Sequence, residues 1–389
     1  MSTRTEPLIA ATRTTGPADP TGRSGSRPGR LARWAPAAAV AWSLTYLALG
    51  IAWLAGARGY PWHSGGTDTV ALSLLDQFSP RTGAWLTTAV AAAALGLATA
   101  SVGLSRHPSA GSMLRLTGDA SIGLGAVLAV VVPDFRLLAG LGYTPILVVG
   151  WIVGFARDVS PAEAYSWPWI NVLLVTLGGL SLVVAGAGWR RAGAQAARAD
   201  GRAVDAATGW RAPERAARWG RVAVAVSVLV PVGYAVTRFA WFVGIPLGLT
   251  AESFERVRPI AGFGAGLGAF AVVGALLTLG LLRPWGEVFP RWVPGLGGRP
   301  VPVGLAVVPA AFVSVAVTSA GLMFVRLTLF SGLGDAFPVG MADVAGWLPE
   351  MFWPVWGAAL GLSTYAYWLR RRGEAPPVPA EPPTPVNGR

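Results

Sequence analysis

The chain has no cysteine and no lysine, two histidines, and few charges for its length. Without cysteine there are no disulfides, no thiolate nucleophile and no Cys-ligated metal. His63 and His107 leave too little imidazole for a histidine-built metal or haem centre, and no acidic motif compensates, so no cofactor or metal is expected. Charged residues make up 13% of the 389 positions, against roughly 25% in soluble domains, while 53% are hydrophobic. A soluble protein of this composition could not cover its surface with polar groups; one surrounded by lipid has no such need. With lysine absent, all 31 basic residues are arginine. Together with the many Ala, Gly and Pro, this points to a GC-rich bacterial genome and not to an activity.

What is present is a series of long apolar runs, near residues 35–55, 83–104, 117–133, 169–189, 221–243, 262–282, 302–325 and 352–369. Most reach the ~20 residues that cross a hydrocarbon core of ~30 Å. The arginines sort with this pattern. If the N-terminus is placed inside, the inner segments and adjoining helix ends hold 23 Arg, and the outer segments hold seven Arg and ten acids. That asymmetry is the positive-inside signal. It accounts for the net charge of +12 without a nucleic-acid partner. The sequence therefore predicts a multi-pass protein of the bacterial cytoplasmic (inner) membrane with both termini in the cytoplasm. The first run, full length and without a small-residue cleavage site, reads as a retained signal anchor.

Landmarks recur in order along the chain. Arg33-Trp34, Tyr46, Trp53 and Gly56 are matched by Arg218-Trp219, Tyr234, Trp241 and Gly244, with the same Tyr-to-Trp-to-Gly spacing. Arg136-Leu137 followed by Gly140-Leu141-Gly142 is matched by Arg326-Leu327 followed by Gly332-Leu333-Gly334. Gly179-Leu180-Ser181 before Arg190-Arg191 is matched by Gly361-Leu362-Ser363 before Arg370-Arg371. The fold class that follows is all-α: a polytopic membrane helix bundle of about eight transmembrane helices in two parallel four-helix repeats. The divisions are a disordered tail (1–33), the first repeat (34–193), an Arg/Ala-rich linker (194–217), the second repeat (218–373) and a Pro-rich tail (374–389). Residues 137–155 are apolar enough for a ninth span, which would place the arginine-rich linker or tail outside. They are read as a re-entrant or interfacial element, with 335–351 as an amphipathic counterpart. Trp34, Trp53, Trp219 and Trp241 stand near span ends and are expected to anchor in the interfacial belts.

Chemistry-bearing residues are few. Arg238 lies inside a span and shares a helix face with Tyr234 and Trp241, at i−4 and i+3. A charge there either snorkels or joins an ion pair, or it faces a cavity and holds an anionic group. Arg136 and Arg326 occupy matched places near the outer span ends, where paired guanidinium groups suit carboxylate or phosphate. Asp134 and Asp335 are their alternative partners. Arg238, Arg136, Arg326 and Tyr234 are thus the candidate solute-binding residues. Asp68, Asp76, Asp335, Asp343 and Glu350 read as solvated loop charge, and His63 as polar surface. Asp119 is assigned to a helix N-terminus, and Asn171, Ser181, Ser363 and Thr364 to hydrogen bonds between helices.

No nucleophile stands beside a base, and no phosphate-binding loop appears, so no catalytic residue is named and an enzyme acting on a lipid-linked substrate ranks last. Two functions remain. One is a permease-like protein that binds or moves a small anionic or amphiphilic solute between its repeats. The other is a non-enzymatic membrane scaffold or accessory subunit that docks cytoplasmic or membrane protein partners. The lipid bilayer is a partner in either case.

Overall fold

The computed structural model describes residues 30–62, 72–154, 157–199, 213–330 and 340–371, which are helical or in connecting turns. In chain order the helices are α1 (Arg30–Leu54), α2 (Pro80–Leu104), α3 (Gly111–Ala126, continued by a π turn to Val131), α4 (Phe135–Val153), α5 (Pro161–Ala164), α6 (Trp167–Ala199) and α7 (Pro213–Phe242). They continue with α8 (Ala251–Val257), α9 (Ala261–Leu279), α10 (Val303–Phe330), α11 (Val344–Met351) and α12 (Trp353–Arg371). Eight stretches are long and apolar enough to cross a membrane: α1, α2, α3, α4, α6, α7, α8 with α9, and α10. The protein is an all-helical, multi-pass membrane bundle.

Membership of the eight differs from the sequence reading in two places. Of the stretch 137–155, residues 137–153 lie in one unbroken helix, α4, which is long and apolar enough to cross a membrane. Asp134 starts it by accepting from the Arg136 N–H at 2.9 Å, and Gly154, at φ 102°, stops it. Pro145 lies inside without ending it. The chain then doubles back along α4. Tyr165 reaches Thr144 at 3.0 Å, and the Trp169 indole donates to the Arg136 carbonyl at 3.0 Å. Conversely, α12 forms where the last span is expected but is not among the eight. It packs on both α7 and α10. Ser363, Thr364 and Tyr367 of this helix are all buried, while Val355 and Leu362 are about half exposed.

Each half pairs its helices in one order. In the first, α1 packs on α2 and α6, and α3 on α6; in the second, α7 packs on α9 and α12, and α10 on α12. The ends of α1 and α7 also match: Gly56 (φ 93°) donates to Trp53 O at 3.0 Å, and Gly244 (φ 89°) to Trp241 O at 3.1 Å. Only glycine takes such φ values without strain, which is why these glycines follow the matched Trp residues. Close packing rests on small residues. A Cβ on Gly125 of α3 would lie 2.5 Å from the Gly179 carbonyl oxygen of α6, so these backbones touch directly.

Polar groups inside the spans mostly bond along their own helix. Ser181 donates to Gly178 O, and Ser363 and Thr364 both to Leu360 O, so these three do not bridge helices as predicted. Asn171 does: its Oδ1 accepts from Tyr46 at 2.9 Å. Two Trp assignments also change. Trp53 and Trp241 are buried inside the protein, whereas Trp34 is exposed.

Candidate functional site

Arg238 points into the protein and meets Glu350 of α11 in a buried ion pair, the two side chains being 9% and 7% exposed. Its guanidinium lies 4.4 Å from the Tyr234 ring centre and 4.2 Å from that of Trp241. It also donates to Ala345 O at 3.1 Å and Thr237 Oγ1 at 3.2 Å. The i−4 and i+3 spacing thus builds an aromatic clamp around a cation, which compensates its removal from water. Glu350 and Asp343 are buried and not solvated loop charge as predicted. Burial pushes the Glu350 carboxyl up to about 7 against the pull of Arg238. Its Oε2 has no hydrogen-bond partner among the described residues. Burial also works against charge on Asp343. Hydrogen bonds from Thr250, Ser253 and Gly340 outweigh it and hold that carboxyl down to about 2. These joints leave no local signal, because Arg238 and Glu350, and Ser253 and Asp343, lie 112 and 90 residues apart.

Arg136 and Arg326 do converge, and acids converge with them. Arg136 Nε donates to both oxygens of Asp134, at 2.9 and 3.0 Å, and Asp76 lies 3.7 Å from its NH2. Arg326 donates to the Leu72 carbonyl and feels Asp134 and Asp76 electrostatically. Two cations and two acids balance one another at the contact between the halves. Asp119 lies within α3, eight positions past its start, and pairs with Arg190 at 3.1 Å. His63, Asp68 and Asp335 lie outside the described residues. Among the described residues, no three His, Asp or Glu side chains gather as metal ligands.

The open space is elsewhere. A cavity of about 510 Å³, within the ~300–1,000 Å³ of small-molecule sites, lies between α9 and α10. Gly274 and Leu277 of α9, Ala306 and Ala310 of α10, and Trp356 and Leu360 of α12 form its walls. The 280–302 connection covers it with Trp285, Phe289 and Trp292. This cover is anchored: Tyr367 donates to Gly286 O at 2.8 Å, Arg370 pairs with Glu287 at 3.5 Å, and Val301 donates to Glu287 O at 2.8 Å. The lining is almost wholly apolar and includes none of Arg136, Tyr234, Arg238 and Arg326. The sequence signal that could have found it was three large aromatic residues in a segment otherwise read as a polar inner loop.

Neither a family model, a curated protein nor a solved structure matches the chain.

Proposed function

We propose that this protein is a permease-like membrane protein that takes an amphiphilic solute from the bilayer into the cavity between α9 and α10. The observation that carries this reading is the cavity itself: apolar, of small-molecule size, and set between two helices that do not pack along their lengths. Leu277 and Leu305 line it and yet are 63% and 57% exposed, so they stand as posts of an opening toward lipid. A small water-soluble anion has less support, because each predicted arginine already has partners inside the protein. In this reading Arg238 with Tyr234, and Arg136 with Arg326, are joints that hold the bundle around the cavity.

The matched helix pairing of the halves supports a duplicated origin with two parallel repeats. The arginine distribution supports a bacterial cytoplasmic membrane with the termini, the linker and the 280–302 cover inside. α4 and the leg returning along it then count as one element on the outer side, which leaves that orientation intact. The well-paired charges also favour a second reading, a purely structural accessory subunit.

Reconstitution separates the two. Vesicles containing the protein should move a fluorescent single-chain amphiphile across the bilayer faster than empty vesicles, and Ala310→Trp, which fills the cavity, should abolish the gain. Equal rates with and without the wild-type protein would discard the permease reading in favour of the accessory one.

A further inference from the structure

We propose that the amphiphile held between α9 and α10 is an anionic phospholipid, with an acyl chain in the cavity and its phosphate held by Arg283, Arg291 and Arg299. This rests on the amphiphile reading above and adds the headgroup class.

The tail alone cannot select a ligand. Passing from bilayer hydrocarbon into an equally apolar cavity changes its surroundings little, because lipid chains are as apolar as leucine. Selection therefore falls to the polar end, and the cavity's cover supplies three positive charges for that purpose. Arg283, Arg291 and Arg299 are all exposed. Arg283 lies between the lining residues Leu281 and Trp285, and Arg291 between the lining residues Pro290 and Trp292. Arg299 is tied to the lining through its carbonyl, which accepts from the Phe289 N–H at 2.9 Å. The single acid of this stretch, Glu287, is already taken by Arg370. Among the described residues, none of the three arginines has an acid within ion-pair distance.

The surrounding surface fits a headgroup layer. Trp292, 82% exposed, and Trp285 flank Arg291 and Arg283, and indoles favour the depth at which phosphates lie. Below them, Leu276 and Val308 present apolar surface on the two helices. A lipid whose chain slips past Leu277 and Leu305 therefore brings its phosphate to the level of the arginines. The guanidinium fork matches phosphate oxygens. Each basic residue close to an anionic headgroup contributes about fivefold in binding, so three of them predict a preference of at least tenfold.

The test uses the full chain in mixed vesicles. Phosphatidylglycerol and phosphatidylcholine carrying the same photoactivatable acyl chain are crosslinked in parallel, and the labelled peptides are mapped. Phosphatidylglycerol should label α9 and α10 at least tenfold more than phosphatidylcholine. The triple variant R283Q/R291Q/R299Q, confined to exposed positions, should lose this preference, phosphatidylglycerol labelling falling to that of phosphatidylcholine in the same variant. Ala310→Phe should lower labelling by both lipids. Equal labelling of the wild type by the two lipids would overturn the headgroup assignment and leave the amphiphile reading standing. No labelling of the cavity peptides by either lipid would overturn both.

Discussion

Where α1 carries Gly50 against Thr88 of α2, α7 carries Arg238 against Gly264 and Gly268 of α9. A Cβ on Gly50 would lie 2.3 Å from Thr88 Oγ1, so the first half closes by bringing backbones together. The second half leaves room for a long cation and needs Glu350 of α11 to neutralise it. The connections at the other end differ in the same sense. Residues 105–110 join α2 to α3, and Ser101 bonds Thr117 across the pair at 2.9 Å. Residues 280–302 join α9 to α10, the helices separate, and the cavity fills the gap. One pairing order thus yields a shut half and an open half, and the difference lies in helix–helix distance and connection length.

The largest effect expected concerns the charge that takes the place of Gly50. Arg238→Ala leaves Glu350 buried without its partner, a loss of about 3–5 kcal/mol. Protonation of Glu350 keeps it toward the lower end. Denaturant unfolding in detergent measures it, and a loss under 1 kcal/mol would mean that the second half does not depend on this pair. The same carboxyl gives a pH dependence with a defined sign. Its folded value of about 7 exceeds the ordinary 4.5, so the folded state binds more protons between those values. Its contribution to stability therefore falls as pH rises from about 4.5 to 7, and Glu350→Gln should flatten that slope.

Glycine substitutions sharpen the contrast between halves. Gly125→Ala places a methyl 2.5 Å from a backbone oxygen that cannot move aside, and overpacking of this kind costs about 1–3 kcal/mol. Gly274→Ala, at a cavity-lining position where a Cβ meets nothing within 4 Å, should gain up to about 1 kcal/mol from helix propensity. Equal losses at the two sites, read from the same unfolding assay, would mean that α9 is as tightly enclosed as α3.

Much of this was legible in the chain. The span positions follow from apolar runs, the Gly56 and Gly244 stops from their place after matched Trp residues, and the Arg136–Asp134 pair from two neighbours at a helix start. Such signals are local. Glu350 and Asp343 were misread because burial depends on helices distant in sequence closing over them, and an acid in a loop looks the same wet or dry. α12 was placed correctly but hides its setting, since the face it packs on α7 and α10 has no reason to be lipid-apolar. The cavity was legible only through the aromatic residues of its cover, for a related reason. It is made by two helices failing to meet, and no run of residues encodes a gap.

The smallest effect bears on what keeps the first half shut. Ser101→Ala removes the Ser101–Thr117 hydrogen bond, and such bonds between membrane helices contribute ~0.6 kcal/mol on average. Thr117 retains a long bond to Leu114 O at 3.4 Å, so little else changes. If the six-residue connection holds α2 to α3, the variant loses only that increment, and photoactivatable lipid still fails to label their contact face. If the hydrogen bond holds them, lipid should reach Ser101's neighbours Ala98 and Val102. Labelling at those positions would transfer the cause of the asymmetry from connection length to a single hydroxyl.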